Sequence, residues 1–183
     1  SFADAVRTVR SRGRFMQESV PEGEGAMAAI LGLDRAAVLR ACAQAAEGEV
    51  VSVANFNGPG QVVIAGQAAA VKRACDAAIA AGASRAVPLQ VSAPFHCALM
   101  EPAARRLSAV LTSVTFCDPS IPVYTNVDAA PVDTAEASRS TLVRQVASPV
   151  RWDEEILKMA EDGITTFVEF GPGRVLAGLV RRI

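Results

Sequence analysis

The sequence predicts an α/β fold in which a βαββαβ segment sits beside an incomplete parallel α/β body. Three observations point there. Residues 26–91 alternate short apolar runs with two helical stretches in the order β-α-β-β-α-β. Beyond Ser92 the order changes to helices separated by single strands, the alternation of a parallel sheet, but with too few strands to close a layer. The chain has 183 residues, 51 % of them hydrophobic and 20 % charged, which is enough to build a buried core. At this length folding hides roughly 70 % of the extended chain's surface.

Composition also excludes several classes. High apolar content with a net charge of −1 excludes disorder. The same near-neutral balance is unlike a nucleic-acid binder, which carries a basic excess. No apolar run is long enough to span a membrane. Ser1 to Val20 carries four arginines and no continuous apolar core, so it does not read as a signal peptide. The four cysteines, Cys42, Cys75, Cys97 and Cys117, form no C-x-x-C pair and are expected to be free, buried thiols. That usage suits a reducing cytosol. With one histidine in the chain, no structural zinc site is expected.

Phe2 to Val20 reads as an amphipathic helix with Phe2, Val6, Val9, Gly13, Met16 and Val20 in one stripe. At 100° per residue Arg7, Arg10 and Arg14 cluster on a solvated side, whereas Arg12 falls on the opposite flank beside Ala5 and Met16. Pro21 to Gly25 breaks the helix. Ala26 to Leu31 is a strand, and Asp34 caps a helix over Arg35 to Ala46. Val50 to Ala54 is a strand, Asn55 to Gly60 a turn-rich connection, and Gln61 to Ala65 a strand. Ala69 to Ala81 is a helix ended by Gly82, and Ser84 to Val91 a strand. This order is the ferredoxin-like split βαβ pattern. Helices are then predicted over Ala98 to Leu111, Ala135 to Ala147 and Val150 to Glu161. Strands are predicted over Ile121 to Tyr124 and Thr165 to Phe170, and a last helix begins at Arg174.

The residues that carry chemistry are few. His96 lies at a strand-to-helix join, where an imidazole titrating near neutrality can serve as a general base or simply pack. A base needs a nucleophile, and no G-x-S-x-G elbow occurs. Cys97 would point away from His96 and is a poor nucleophile. Gly58-Pro-Gly60 and Gly171-Pro-Gly173 match no phosphate loop and read as tight turns. The second, ahead of a helix, offers a weak anion site through its backbone N–H groups. Asp153 and Glu154 suit a helix start better than acid-base work.

Several longer motifs together resemble the malonyl-CoA:acyl carrier protein transacylases of bacterial fatty acid synthesis, in order and from end to end. They are Arg12-Gly-Arg-Phe-Met-Gln17, Gly25-Ala-Met-Ala-Ala29, Asn55-Phe-Asn-Gly-Pro-Gly-Gln-Val-Val-Ile-Ala-Gly66 and Pro94-Phe-His-Cys-Ala-Leu-Met100. Arg144-Gln145 with Pro149-Val-Arg-Trp152, and Glu169-Phe-Gly-Pro-Gly-Arg-Val-Leu176, complete the series. The resemblance implies an α/β-hydrolase-like large subdomain (residues 1–22 and 93–183, incomplete) carrying a ferredoxin-like small subdomain (residues 23–92). It implies ping-pong transfer of malonyl from malonyl-CoA to a serine, then to the phosphopantetheine thiol of acyl carrier protein.

By the same resemblance His96 is the general base, and the backbone carbonyl of Gln145 orients its ring in place of a carboxylate. A neutral orienter leaves the imidazole largely uncharged at rest. Arg12 corresponds to the arginine that binds the malonyl carboxylate, a task suited to a planar, permanently charged fork. Met16 and Asn57 are implied to line the same cleft. Phe95 corresponds to a position that disfavours an α-methyl group, with core packing the equal alternative. Gly58 stands where the family commonly has serine, which leaves that turn open.

The family's serine elbow and glutamine-rich oxyanion loop lie ahead of the first matched motif, so these residues alone are expected to be inactive. The implied enzyme is cytoplasmic, uses no cofactor or metal, and docks an acidic carrier protein on Arg7, Arg10, Arg14, Arg181 and Arg182. The alternatives are a non-catalytic ferredoxin-like binding or regulatory domain, and an acyltransferase domain of a polyketide synthase.

Overall fold

The computed structural model describes all residues from Ser1 to Ile183. Helix α1 covers Phe2–Gln17, with Ser1 capping it through its hydroxyl and Asp4 in the first turn. It stops one turn short of the predicted Val20. Strands β1 (Gly25–Leu31), β2 (Val51–Gly58), β3 (Gln61–Gln67) and β4 (Arg85–Pro88) form one antiparallel sheet in the order β2-β3-β1-β4. Helices α2 (Arg35–Ala45) and α3 (Ala68–Ala80) connect β1 to β2 and β3 to β4. Asp34 caps α2 by accepting from the Ala37 amide at 2.9 Å, as its position predicts.

Two boundaries in this sheet differ from the sequence reading. Residues 55–58 are not a loop but the end of β2, so the reversal is confined to Pro59 and Gly60, with Gly58 and Gly60 at φ of 142° and 67°. The fourth strand is four residues rather than eight, because it pairs only with the end of β1.

Alternation along the strands gives the sheet two apolar faces. Ala28, Ile30, Val62 and Ile64 pack against Ala37, Val38, Ala41, Ala70, Val71 and Ala74 of the helices. Met27, Val63 and Ala65 face the other way, onto Ala54 and Cys97. A register shift between Val53 and Asn55 changes parity along β2, so that Val53 and Phe56 both face the helices. Gly66 is obligatory in this arrangement, since a Cβ there would lie 2.0 Å from the Val50 carbonyl oxygen.

The rest of the chain is mostly helical. A 3₁₀ turn (Ala98–Met100) runs into α4 (Glu101–Thr112), followed by α5 (Ala135–Gln145), α6 (Trp152–Glu161) and the short α7 (Val175–Val180). Phe15, Met16, Val20, Met100, Leu107, Leu111 and Val146 form the core between α1, α4 and α5.

The expected parallel sheet does not form within these residues. The strand near residue 121 is β5 (Val123–Thr125), paired antiparallel with an unanticipated β6 (Ala130–Val132) in a hairpin. Thr165 to Phe170 forms no strand and has no ladder partner, and its Phe170 is 92 % exposed. Alternating β-formers supply an extended backbone; only a neighbouring strand makes it a sheet. The only parallel pairing is a single bridge between Asn55 and Val150. No helix is long and apolar enough to cross a membrane.

Candidate active site

The loop carrying His96 is wedged between the two cores. Ala93, Pro94 and Cys97 are buried. Phe95 is half-buried and touches both the α1–α4 cluster and the second face of the sheet. Gly25 makes room for this loop: a Cβ on it would lie 2.4 Å from the Pro94 ring. Cys97 donates its Sγ–H to the Pro94 carbonyl at 3.1 Å, and burial pushes its thiol up to about 11. Both features make it a packing residue and no nucleophile.

His96 follows with φ of 61°, a left-handed conformation that non-glycine residues adopt at a cost. Its Nδ1 lies 2.9 Å from the backbone carbonyl oxygen of Gln145, at the end of α5. Burial depresses the imidazole below its usual value and the positive charge of Arg12 adds to that, while the backbones of Gln145 and Ser148 oppose it. The ring is therefore neutral at pH 7. In that state Nδ1–H donates to the carbonyl and Nε2 keeps a free lone pair.

Arg12 is half-buried on α1, whereas Arg7, Arg10 and Arg14 are exposed, the division that the helix wheel predicts. Arg7 and Arg14 are bridged to Asp4 and Glu18, whereas Arg12 forms no ion pair. Burial lowers its pKa without removing its charge. The result is a partly desolvated, unpaired guanidinium within electrostatic reach of a neutral imidazole.

The other sequence candidates are placed unevenly. Asn57 is half-buried near the end of β2. Met16 is 3 % exposed in the α1–α4 core, so it packs beneath the face that carries Arg12 rather than opening onto a cleft. The weak anion site ahead of α7 is already filled from within, because the Glu169 carboxylate accepts from the amides of Leu176 (3.1 Å) and Ala177 (2.9 Å). The expectation of four buried thiols holds for Cys42 and Cys97; Cys75 is half-buried and Cys117 exposed.

One polar seam escaped the sequence reading. Glu154 of α6 joins Arg151 to Arg35 of α2, the latter at 2.5 Å, and Arg35 stacks 3.5 Å above the Phe56 ring. Arg151 also donates to the Asp128 carbonyl, and Arg144 grips the Asp128 carboxylate with both Nη atoms. Beside it Glu155, 3 % exposed, accepts from Asn126. Reading Asp153 and Glu154 as first-turn charges was correct but hid these long-range partners.

Residues 1–182 match the family model described as the acyl transferase domain. The chain belongs to that family. Over 182 residues it is 57 % identical to the malonyl CoA-acyl carrier protein transacylase of Escherichia coli strain K12, with 100 % of this chain and 59 % of the relative covered. The protein of the same name from Bacillus subtilis strain 168 is 49 % identical, with 100 % of this chain and 58 % of the relative covered. This acyl transferase chain thus spans about three fifths of the length of the curated relatives it matches.

Solved structures agree. An acyl carrier protein S-malonyltransferase from Vibrio cholerae superposes with TM-score 0.98 at 50 % identity, covering 100 % of this chain and 60 % of that one. A malonyl-transacylase in complex with a type II polyketide synthase acyl-carrier protein does so with TM-score 0.97 at 54 % identity, covering 100 % and 59 %. The fold is accordingly the mixed α/β fold of the malonyltransferases.

Proposed function

We propose that this chain is the larger part of a transferase that moves malonyl from malonyl-CoA to the phosphopantetheine thiol of acyl carrier protein. The observation that carries the reading is the imidazole held at Nδ1 by the backbone carbonyl of Gln145, with the charge of the half-buried Arg12, which forms no ion pair, acting on it. Residues 23–92 act as the ferredoxin-like small subdomain. Residues 1–22 and 93–183 belong to the α/β-hydrolase-like large one, and the serine nucleophile lies in the remaining length of the family's chain.

In this reading Nε2 of His96 takes the serine proton as the hydroxyl oxygen attacks the malonyl thioester, and hands it to the departing coenzyme A sulfur as the tetrahedral intermediate collapses. His96, neutral again, accepts the proton of the phosphopantetheine thiol as its sulfur attacks the malonyl ester, and returns that proton to the serine oxygen as the ester bond breaks. A carbonyl at Nδ1 fixes the tautomer without stabilising imidazolium as strongly as a carboxylate would. Arg12 binds the malonyl carboxylate in a bidentate pair, which offsets the desolvation of both partners. Phe95 and Asn57 border the acyl group, with Met16 packed beneath Arg12. No cofactor enters, because the thioester supplies the driving force. The free thiols support a cytoplasmic setting.

Exposed Arg10, Arg181 and Arg182, which have no intramolecular partners, are better placed to meet an acidic carrier than the bridged Arg7 and Arg14. The polyketide carrier partnered by one relative favours a second reading, in which the acceptor is a polyketide rather than a fatty-acid carrier protein.

Intact-mass analysis of the full-length protein after incubation with malonyl-CoA tests the reading. A single malonyl adduct is expected in the wild type and none in His96→Ala. Undiminished labelling of the variant removes His96 from the mechanism, and no adduct on the wild type removes the function.

A further inference from the structure

The carbonyl that faces His96 is available for a reason written in the sequence. At the end of α5 the amides of Val146 and Ala147 turn back to Val143 and Arg144. The residue four beyond Gln145, whose amide would continue the helical ladder, is Pro149, which has no N–H. The Gln145 carbonyl is thereby left for Nδ1 of His96 at 2.9 Å.

A carbonyl left free is not yet a carbonyl aimed. The turn from Gln145 to Pro149 is fastened from two sides. Downstream, Val150 donates to the Ala54 carbonyl and accepts from the Phe56 amide, both at 2.8 Å, which stitches the loop to β2. Inside the turn the Gln145 side chain curls over it, its Nε2 donating to the carbonyls of Ser148 (3.0 Å) and Pro149 (3.4 Å). The same residue therefore supplies the acceptor through its backbone and closes the loop around that acceptor through its amide. The arrangement has a cost: Oε1 of Gln145 is buried with no partner. A side chain present only to fill space, such as methionine, would avoid that orphaned acceptor.

We infer that the side-chain amide of Gln145 is a positioning group for His96, bracing the 145–149 turn so that the Gln145 carbonyl selects the Nδ1–H tautomer and leaves Nε2 free to accept a proton. This rests on the proposed role of His96, but it makes a separate claim. If the backbone carbonyl acted alone, any residue that keeps the helix end would serve at position 145. If the amide braces the turn, only a side chain that donates to both carbonyls will.

His96 is the only histidine, so its two ring nitrogens are read without ambiguity by ¹⁵N NMR of histidine-labelled protein. Gln145→Met keeps the length and loses the donors; Gln145→Glu keeps the shape and, ionised, turns repulsive toward the carbonyls. The wild type is expected to show one tautomer with the proton on Nδ1. Both variants are expected to raise the Nε2–H form about tenfold relative to the wild type, the effect of losing one hydrogen bond's worth of bracing. In the full-length enzyme kcat for malonyl transfer should fall in proportion to the Nδ1–H fraction lost, with KM unchanged.

A purely structural glutamine would lower the melting temperature and leave the tautomer untouched. Retention of a single Nδ1–H form in whichever of the two variants folds overturns the inference. Failure of the functional reading looks different, since malonyl labelling would then survive His96→Ala whatever the tautomer does in the Gln145 variants.

Discussion

Nδ1 of His96 and the backbone carbonyl oxygen of Gln145 lie 2.9 Å apart although 49 residues separate them in the chain. The contact joins the loop wedged between the two cores to the end of α5, and it determines which ring nitrogen is free. A carbonyl in this place, unlike a carboxylate, leaves the resting ring uncharged.

The first prediction concerns pH. Burial and the Arg12 charge hold the His96 pKa below its ordinary value, so between the two values the unfolded chain binds more protons than the folded one. The sign follows: this histidine's contribution to stability is complete above about pH 6.5 and is lost as pH falls through the folded pKa. An NMR titration of the single histidine alongside thermal melts between about pH 5 and pH 7.5, a range that brackets the usual value, measures both. A folded pKa at or above that of a free imidazole would contradict the burial argument.

Arg12 is expected to discriminate between acyl groups. In the full-length protein Arg12→Ala should reduce malonyl transfer roughly 10- to 100-fold relative to acetyl transfer, the worth of a charge-assisted pair. Arg12→Lys should fall between, since an ammonium keeps the charge without the fork. Equal losses with acetyl-CoA and malonyl-CoA would make Arg12 structural.

Gly25 and Pro94 are in closer contact than any side chain would allow. Gly25→Ala places a methyl 2.4 Å from the proline ring, and Pro94 stands two residues before His96. The substitution should destabilise by about 1–3 kcal/mol in chemical denaturation. It should also shift the His96 ring resonances, which a distant loss of stability would not do.

Glu169 holds the start of α7 by accepting from two of its amides. Glu169→Ala should cost about 1 kcal/mol locally. Hydrogen exchange should report faster exchange at Leu176 and Ala177, while the β1–β3 amides keep their protection. Unchanged exchange at both residues would show that the carboxylate is dispensable there.

Much of this was written in local pattern. The βαββαβ order, the Asp34 cap, the acidic first turn of α6 and the position of Arg12 off the solvated face of α1 all depend on residues within a turn or two of one another. Their physics is short-range, and periodicity and capping chemistry record it directly. The motifs that resemble the transacylases pointed to His96, Arg12 and Gln145, because such motifs carry residues whose function depends on meeting.

Long-range pairing was legible only in part. Residues 165–170 have the composition of a strand and no partner, while residues 130–132, proline included, pair in a hairpin with β5. Pairing belongs to two segments at once, so neither sequence states it. The same holds for Glu154, whose charge suits a helix start but whose partner Arg35 lies 119 residues away.

The chain's own order of residues determined the helices, the split βαβ frame, which arginine leaves the solvated face, and, through Pro149, that one carbonyl at the end of α5 would lack a helical donor. Tertiary structure alone decided what that carbonyl meets. The left-handed His96, the Pro94 ring seated on Gly25 and the stitch from Val150 to β2 arise from packing two cores against one loop. The direction of a hydrogen bond across that packing is a property of three-dimensional placement, to which no local propensity contributes.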